Sequence, residues 1–381
     1  MHYLDHAATT PVLPEVKEAM LPFLEEDFGN PSSVHAAGRR AKAAVEDARE
    51  RVAAAIGASP SELVFTAGGT EADNLAIKGA VRKLRGNGDH IVTTSFEHHA
   101  VLDTIEWLEG MGIHGTLVNV PSDGVVTPDG VAGAITAGTI LVSVITVNNE
   151  IGTVQPIAEI AAAAKESSSK AIVHTDAVQA LGNVPVDVKS WGVDLAAFSA
   201  HKLGGPKGVG VLYVRSGVPV EPILHGGGHE RGLRSGTLNV AGIAGFGVAA
   251  EIAAREVDLK AERLAKMRDR LLEGIRMELP DIVVNGDLDR RAAGNLNISI
   301  PNTEGETLLL LLDQAGIAAS AGSACQSGAI DPSHVLVAIG VPRKLAIGSL
   351  RFSLGRASTD ADVDAVLEAL PGVVETARKA T

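Results

Sequence analysis

The strongest constraint on this chain is a repeated unit: a short run of residues apolar from end to end, then a stretch with apolar residues at helical spacing. "ELVFTAGG" (62–69) leads into "TEADNLAIKGAVRKL" (70–84). "HIVTTS" (90–95) leads into a helix near 99–110, and "TILVSVITV" (139–147) into one near 156–166. "AIVHTDA" (171–177), "DLAAFSA" (194–200) and "GVGVLYV" (208–214) continue the series. A strand apolar on both faces has to be covered on both faces, and alternating helices supply the cover. The pattern therefore predicts a parallel α/β sheet between helical layers.

From about 240 to 279 the chain reads as long and helical. "NLNISI" (295–300), a Leu-rich helix (306–316), a loop around Cys325, "LRFSLG" (350–355) and a last helix from about 360 then describe a smaller α+β unit. The boundary is expected inside the long helical stretch near residue 255. Residues 14–255 form the large unit in this reading, and residues 1–13 with 256–381 form the small one.

Open α/β sheets bind ligands outside the carboxyl ends of their strands. In chain order those ends carry Gly68, Gly69 and Thr70; His98 and His99; Asn148, Asn149 and Glu150; Asp176 and Gln179; and Ser199, His201 and Lys202. Any one of these has a plain structural explanation, such as a turn, a helix cap or a solvated lysine. Five strand ends converging on chemically capable side chains are harder to explain that way. "AGGT" offers backbone N–H groups at a helix start with little side-chain bulk, which suits a phosphate. Asp176 suits a protonated ring nitrogen. Lys202, directly after a buried strand and before a Gly/Pro turn in "FSAHKLGGPKGVG", is placed as a Schiff-base former.

The one cysteine, Cys325, stands in "SAGSACQSG" (320–328), among small polar residues on what reads as a mobile loop. A single thiol forms no internal disulfide, and there is no CxxC or Cys/His zinc pattern, which points to a reducing, cytoplasmic setting. No leader and no apolar run of the roughly 18 residues a membrane span needs is read, so no membrane association is expected. A net charge of −13 with 3% aromatic residues argues against nucleic-acid binding. "GFGVAA" (245–250) fits a dinucleotide-binding pattern but follows no strand, and "HGGGHE" (225–230) spaces two histidines by glycines that disfavour a zinc-binding helix. His98 and His99 read as pointing to opposite sides of the chain. No resident metal is expected.

Taken together, "LDHAATTP", "GNPSSVH", "TAGGTEADNLAIKG", "EHHAV", "VNNEIGTVQPI", "HTDAVQ", "FSAHKLGGPKGVG", "HGGGHERGLRSGT", "GSACQSG" and "RFSLGR" resemble the cysteine desulfurases, pyridoxal-phosphate (PLP) enzymes of the class V aminotransferase group. The resemblance spans about residues 3–356. "HGGGHERGLRSGT" with "GSACQSG" is its most specific part. It implies the PLP-dependent transferase, aspartate-aminotransferase-like fold: a large, mainly parallel, seven-stranded-type sheet domain plus a smaller α+β domain carrying the cysteine loop (about 320–332).

By position, the resemblance implies that Lys202 holds PLP as an internal aldimine and Asp176 pairs with the pyridine nitrogen. Gln179 and Asn149 lie near the phenolic oxygen, and His98 stacks on the ring and moves protons. Thr70, Ser199 and His201 hold the phosphate with Gly69 nearby, and Thr237 reaches the phosphate of a neighbouring subunit in a homodimer. Arg351 clamps the substrate carboxylate, assisted by Asn30 and Asn149. L-Cysteine becomes L-alanine, and its sulfur leaves as a persulfide on Cys325 for an iron–sulfur scaffold protein or another acceptor such as a tRNA-thiolation protein. Cys325 could also ligate a cluster transiently with a partner. Some 25 residues separate Cys325 from "RFSLGR", which resembles the long-loop type. The chain stops soon after its last helix, without the added C-terminal segment some members use for docking. Selenocysteine lyase, an aminotransferase of the same fold and a non-catalytic sulfur or cluster scaffold are the alternative functions.

Overall fold

The computed structural model describes residues 1–321 and 332–380. The chain opens with β1 (His2–Tyr3), α1 (Pro14–Leu24) and α2 (Ala36–Ala55). The next part contains β2 (Leu63–Thr66), α3 (Gly69–Leu84), β3 (His90–Thr94), α4 (His99–Glu109), β4 (His114–Val118), α5 (Pro128–Ala134), β5 (Thr139–Ser143), α6 (Ile157–Ser167), β6 (Ile172–Asp176), β7 (Leu195–Ser199) and β8 (Gly210–Val214). A long helix, α7 (Val240–Glu278), follows. Then come β9 (Val283–Val284), β10 (Asn295–Ser299), α8 (Gly305–Gln314), β11 (Ile317–Ala318), α9 (His334–Ala338), α10 (Arg343–Ala346), β12 (Ser349–Ser353) and α11 (Asp360–Ala380).

Strands β2 to β8 form one seven-stranded sheet in the order β2-β8-β7-β6-β5-β3-β4. Except in the edge strand β4, successive residues of the strands enter different cores. Leu63, Phe65, Val92, Val142 and Val173 pack with α2, α6 and the first half of α7, whereas Val64, Ile91, Leu141 and Ile172 pack with α3 and α4. That two-sided burial is the reason these strands carry no polar alternation.

Two features depart from the sequence expectation. Strand β8 runs antiparallel to both β7 and β2. Residues 200–209 are too few for the helical crossover that a parallel return requires, so the chain turns back directly. Strand β4, at the sheet edge, has no counterpart among the apolar runs because most of it is solvent-accessible.

The smaller core gathers Leu4, the second half of α7 (Leu264, Leu271, Ile275), Leu296 and Ile298 of β10, Leu308 of α8, Phe352 of β12 and Val366 of α11. Helix α7 runs without interruption through residue 255 and contributes to both this core and the large one. "GFGVAA" proves to be its packing stripe. A Cβ on Gly247 would stand 2.7 Å from Ala48 Cα of α2, and one on Gly245 would stand 2.8 Å from Met20 of α1. The N-terminus joins the small unit: β1 pairs in parallel with β11, and Asp5 bridges to Ser353 at the end of β12. Among the described residues, no helix is long and apolar enough to cross a membrane.

Candidate active site

The carboxyl ends of β2, β3, β5, β6 and β7 open onto one cleft of about 450 Å³, closed on the far side by Ala7, Ala8, His334 and Arg351. It lies where the sheet order reverses between β3 and β5, as expected for a doubly wound sheet. Gly69, Thr70, His98, Asn149, Asp176, Gln179, Ser199, His201, Lys202 and Arg351 all line it. Both His98 and His99 line it too, contrary to the expectation of opposite directions. They sit at the start of α4, where successive side chains are turned by about 100°, not 180°.

Lys202 ends a single 3₁₀ turn, Ala200–Lys202, directly after β7. Its Nζ donates to the carbonyls of Ala7 at 2.6 Å and Ala8 at 2.8 Å, which holds the stem inward. Gln179 Nε2 donates to the same Ala7 carbonyl at 2.8 Å. Asp176, at the end of β6, is 3% exposed and accepts from Val178 N at 2.9 Å. Burial raises its carboxyl pKa, while His98 and Lys202 pull it back down. His98 caps α4, with Nδ1 accepting from Ala100 N at 3.0 Å, so a neutral ring carries its proton on Nε2. Burial lowers its pKa, with Lys202 adding to the effect against Asp176. His201 is pushed down to about 4 by burial, then by Lys202 and Lys207, and its Nδ1 meets Thr9 Oγ1 at 3.1 Å.

Gly69 opens α3 against Val178. A Cβ there would lie 2.5 Å from Val178 Cγ2, so only glycine brings this helix N-terminus so near the Asp176 segment. The result is a small cradle of main-chain N–H groups beside Thr70 and Ser199, suited to an anion. Arg351 of β12 is 1% exposed; Nη1 donates to Asn149 O at 2.8 Å and Nη2 pairs with Asp5 at 2.7 Å. Its Nε is buried without a partner among the described residues.

Two residues named from sequence lie outside this cleft. Asn30 and Thr237 are both exposed. Thr237 belongs to "HGGGHERGLRSGT", which contains a 3₁₀ turn at Glu230–Gly232. Glu230 and Arg231 both have left-handed backbones, φ 48° and 57°. Buried Glu230 holds the turn: it accepts from Arg49 at 2.7 and 2.9 Å and from Phe65 N at 2.8 Å. Cys325 lies outside the described residues.

Sequence reasoning passed over Asp73, His334 and the Ala7 and Ala8 carbonyls. Asp73 lies three residues after Thr70 on α3, a spacing that would have flagged it as sharing the same helix face. It is buried, lines the cleft and approaches His174 at 3.4 Å; burial, then Asp176 and Glu97, raise its pKa. His334 lies with His99 at 4.7 Å between ring centroids, and its Nε2 contacts Glu97 O at 2.8 Å. No sequence spacing announces that contact.

A buried carboxylate, an inward-held lysine, a helix-start anion cradle and a guanidinium in one cleft fit PLP. They match its ring nitrogen, aldehyde and phosphate, and the carboxylate of an amino-acid substrate. The family model for class-V aminotransferases matches residues 2–366. The chain is 51% identical over 376 residues to the cysteine desulfurase IscS of Methanosarcina thermophila, covering 99% of this chain and 92% of that one. It is 48% identical over 387 residues to the IscS-like cysteine desulfurase of Mycobacterium tuberculosis (strain ATCC 25618 / H37Rv), covering 100% and 98%. A solved NifS-like protein superposes with a TM-score of 0.93 at 39% identity, covering 98% of this chain and 99% of that one. The NifS-like protein of Rickettsia africae ESF-5 superposes with 0.88 at 32%, covering 98% and 99%. SspA, solved in complex with cysteine, gives 0.82 at 37%, covering 93% and 99%. The chain belongs to the class-V aminotransferases and, within them, to the cysteine desulfurase family. That family is PLP-dependent, and the mainly parallel sheet with its second, smaller unit is the corresponding fold.

Proposed function

We infer that the protein is a PLP-dependent cysteine desulfurase acting in iron–sulfur cluster assembly. It converts L-cysteine to L-alanine and passes the sulfur on as a persulfide. The observation that carries this reading is Lys202 and Asp176 facing one cleft with the Gly69–Thr70 helix start and Arg351. Bound there, PLP supplies an electron sink that acidifies the substrate Cα–H and labilises the Cβ–S bond. Asp176 would hold the ring nitrogen, and Gly69, Thr70, Ser199 and His201 would hold the phosphate, with Gln179 and Asn149 toward the ring oxygen. Lys202 would hold the aldehyde, and its amine is placed to carry the substrate Cα proton. His98 would face the ring, with Nε2 free of the helix cap to move a proton. Arg351, with Asn149 beside it, takes the substrate carboxylate and exchanges Asp5 for it.

The thiolate of Cys325 attacks the substrate sulfur. One S–S bond forms, the Cβ–S bond breaks, and its electron pair returns to the substrate fragment, which is protonated to alanine. Residues 14–255 serve as the PLP-binding unit, and 1–13 with 256–381 as the unit that brings Arg351 and Cys325. Thr237 completes the phosphate site of a second subunit in a homodimer, and the enzyme works in the cytoplasm with a scaffold protein as acceptor.

Borohydride reduction of the PLP-loaded enzyme, followed by peptide mapping, should label Lys202, and Lys202→Ala should abolish the label. Label on Lys207 would refute the assignment. Cys325→Ser should still bind cysteine but carry no extra sulfur by protein mass. Full alanine production by that variant would return the reading to an aminotransferase or plain lyase.

A further inference from the structure

A second cavity, of about 410 Å³, lies behind the first, and Ala7, Asn149, Gln179 and Lys202 line both. Its size is at the lower end of small-molecule sites, roughly 300–1,000 Å³. Val12, Leu13, Leu203, Ile252 and Leu354 give it an apolar wall. None of the roles assigned above needs this space.

Its polar groups are unbalanced. Lys260, on α7, turns into the cavity, and its Nζ donates to Asn183 Oδ1 at 3.1 Å, a neutral partner. No carboxylate lies within ion-pair distance of Lys260 among the described residues. Glu256 is the nearest acid in the lining and is engaged by Arg356 at 2.9 Å. Burial, aided by Arg263 and opposed by Glu256, lowers the Lys260 ammonium to about 8, the mark of a cation lacking an anion. Two further lining side chains carry buried polar atoms without a partner among the described residues: His6 Nδ1, in a residue 8% exposed, and Asn295 Oδ1, in one 6% exposed. Buried polar atoms left unpaired are uncommon and point to something that belongs beside them.

We propose that this cavity is a binding site for a small organic monoanion, a carboxylate on a short aliphatic body, with the carboxylate on Lys260 and the body against the apolar wall. Of the lining cations, Arg356 pairs with Glu256 and Lys202 is held by the Ala7 and Ala8 carbonyls, which leaves Lys260 to take one charge and the apolar surface one tail; a phosphate or dicarboxylate would leave charge against the wall. The occupant would touch the rear of Ala7, whose carbonyl holds both Lys202 and Gln179. The site is thus separate from Arg351 yet shares a wall with the reactive lysine.

Hexanoate is a suitable probe, with uncharged hexanamide as control, titrated calorimetrically into the PLP-loaded enzyme. The expected result is saturable hexanoate binding with Kd below about 1 mM. Hexanamide, and hexanoate with Lys260→Met, should bind at least about tenfold more weakly, the loss of one charge-assisted hydrogen bond. Lys260→Arg should retain binding. Ala253→Leu, which fills the cavity from α7 and leaves Lys260 in the chain, should also abolish it. Absence of saturable binding to the unaltered enzyme overturns the proposal. So does binding that survives Lys260→Met and Ala253→Leu but is lost with Arg351→Met, which would place the anion in the first cleft.

Discussion

Glu230 offers the sharpest test of how the structure holds its functional loops. Its carboxylate takes two guanidinium bonds from Arg49 and one from Phe65 N, at residue exposures of 7% and 5% for the two charged partners. Arg49 also lies over the Phe65 ring at 4.7 Å and donates to Leu63 O. Glu230→Gln keeps an acceptor for Phe65 N but leaves Arg49 charged and buried, a loss of about 3 kcal/mol. Glu230→Met also orphans the Phe65 N–H and should cost about 5 kcal/mol. The double variant Arg49→Met/Glu230→Met removes both charges and should cost about 2 kcal/mol, less than either single change, because a buried ion pair replaced whole is nearly neutral. Urea unfolding of the PLP-loaded enzyme, followed through Trp107 and Trp191 fluorescence, gives the three values. Hydrogen exchange over residues 225–237 should rise in the single variants first, since the left-handed Glu230 and Arg231 lose their anchor. A double variant that costs as much as Glu230→Met alone, or more, would refute the argument, as would a Glu230→Gln change below about 1 kcal/mol.

Further outcomes can be checked independently. Glu97 is buried and raised from 4.5 to about 8, so the folded protein binds a proton that the unfolded chain releases. Its contribution to stability is full below pH 4.5 and is lost as pH rises toward 8, and Glu97→Gln should flatten that decline in urea midpoints measured from pH 5 to 8. An unchanged slope would mean that Glu97 is ionised in the fold. Gly69→Ala should weaken PLP binding by about tenfold, since the new Cβ displaces Val178, and Val178→Ala should restore much of it; no rescue would place the loss elsewhere. Arg351→Met should lower kcat/KM for cysteine by about 30-fold or more with Lys202 labelling intact, and unaltered kinetics would remove Arg351 from substrate binding.

The large sheet and most of its cleft were legible because burial on both faces writes itself into strands such as "TILVS" and because strand ends collect the chemistry. Strand β4 was not, since an edge strand with exposed residues looks like a loop. Helices α1 and α2 escaped for a related reason: α2 buries mostly alanines and a glycine, which give little apolar contrast. In the site, Asp176 ends β6 and Lys202 closes the turn after β7, so both could be read from the strand ends. Asp73 and Glu97 depend on packing between elements, and the Ala7 and Ala8 carbonyls carry no side-chain signal. Arg351 reaches the cleft from another unit, so only the resemblance pointed to it. The family's motif placed Thr237 and Asn30, and both are exposed outside this cleft in the single chain.

The pairing of β1 with β11 has a consequence for how the protein is made. Ala7 and Ala8 receive the Lys202 ammonium, and they follow a segment pinned by Ile317, Ala318 and Ser353. A ribosome delivers the first residues early and their partners late. Until Ser353 has emerged, the growing chain holds the lysine and Asp176 of the large sheet without the wall that seats the amine. Closing so long a loop is entropically slow to begin but costs little more than closing a shorter one. Assembly of the seat of Lys202 is thereby deferred to the end of synthesis, when the segments carrying Arg351 and Cys325 are also present.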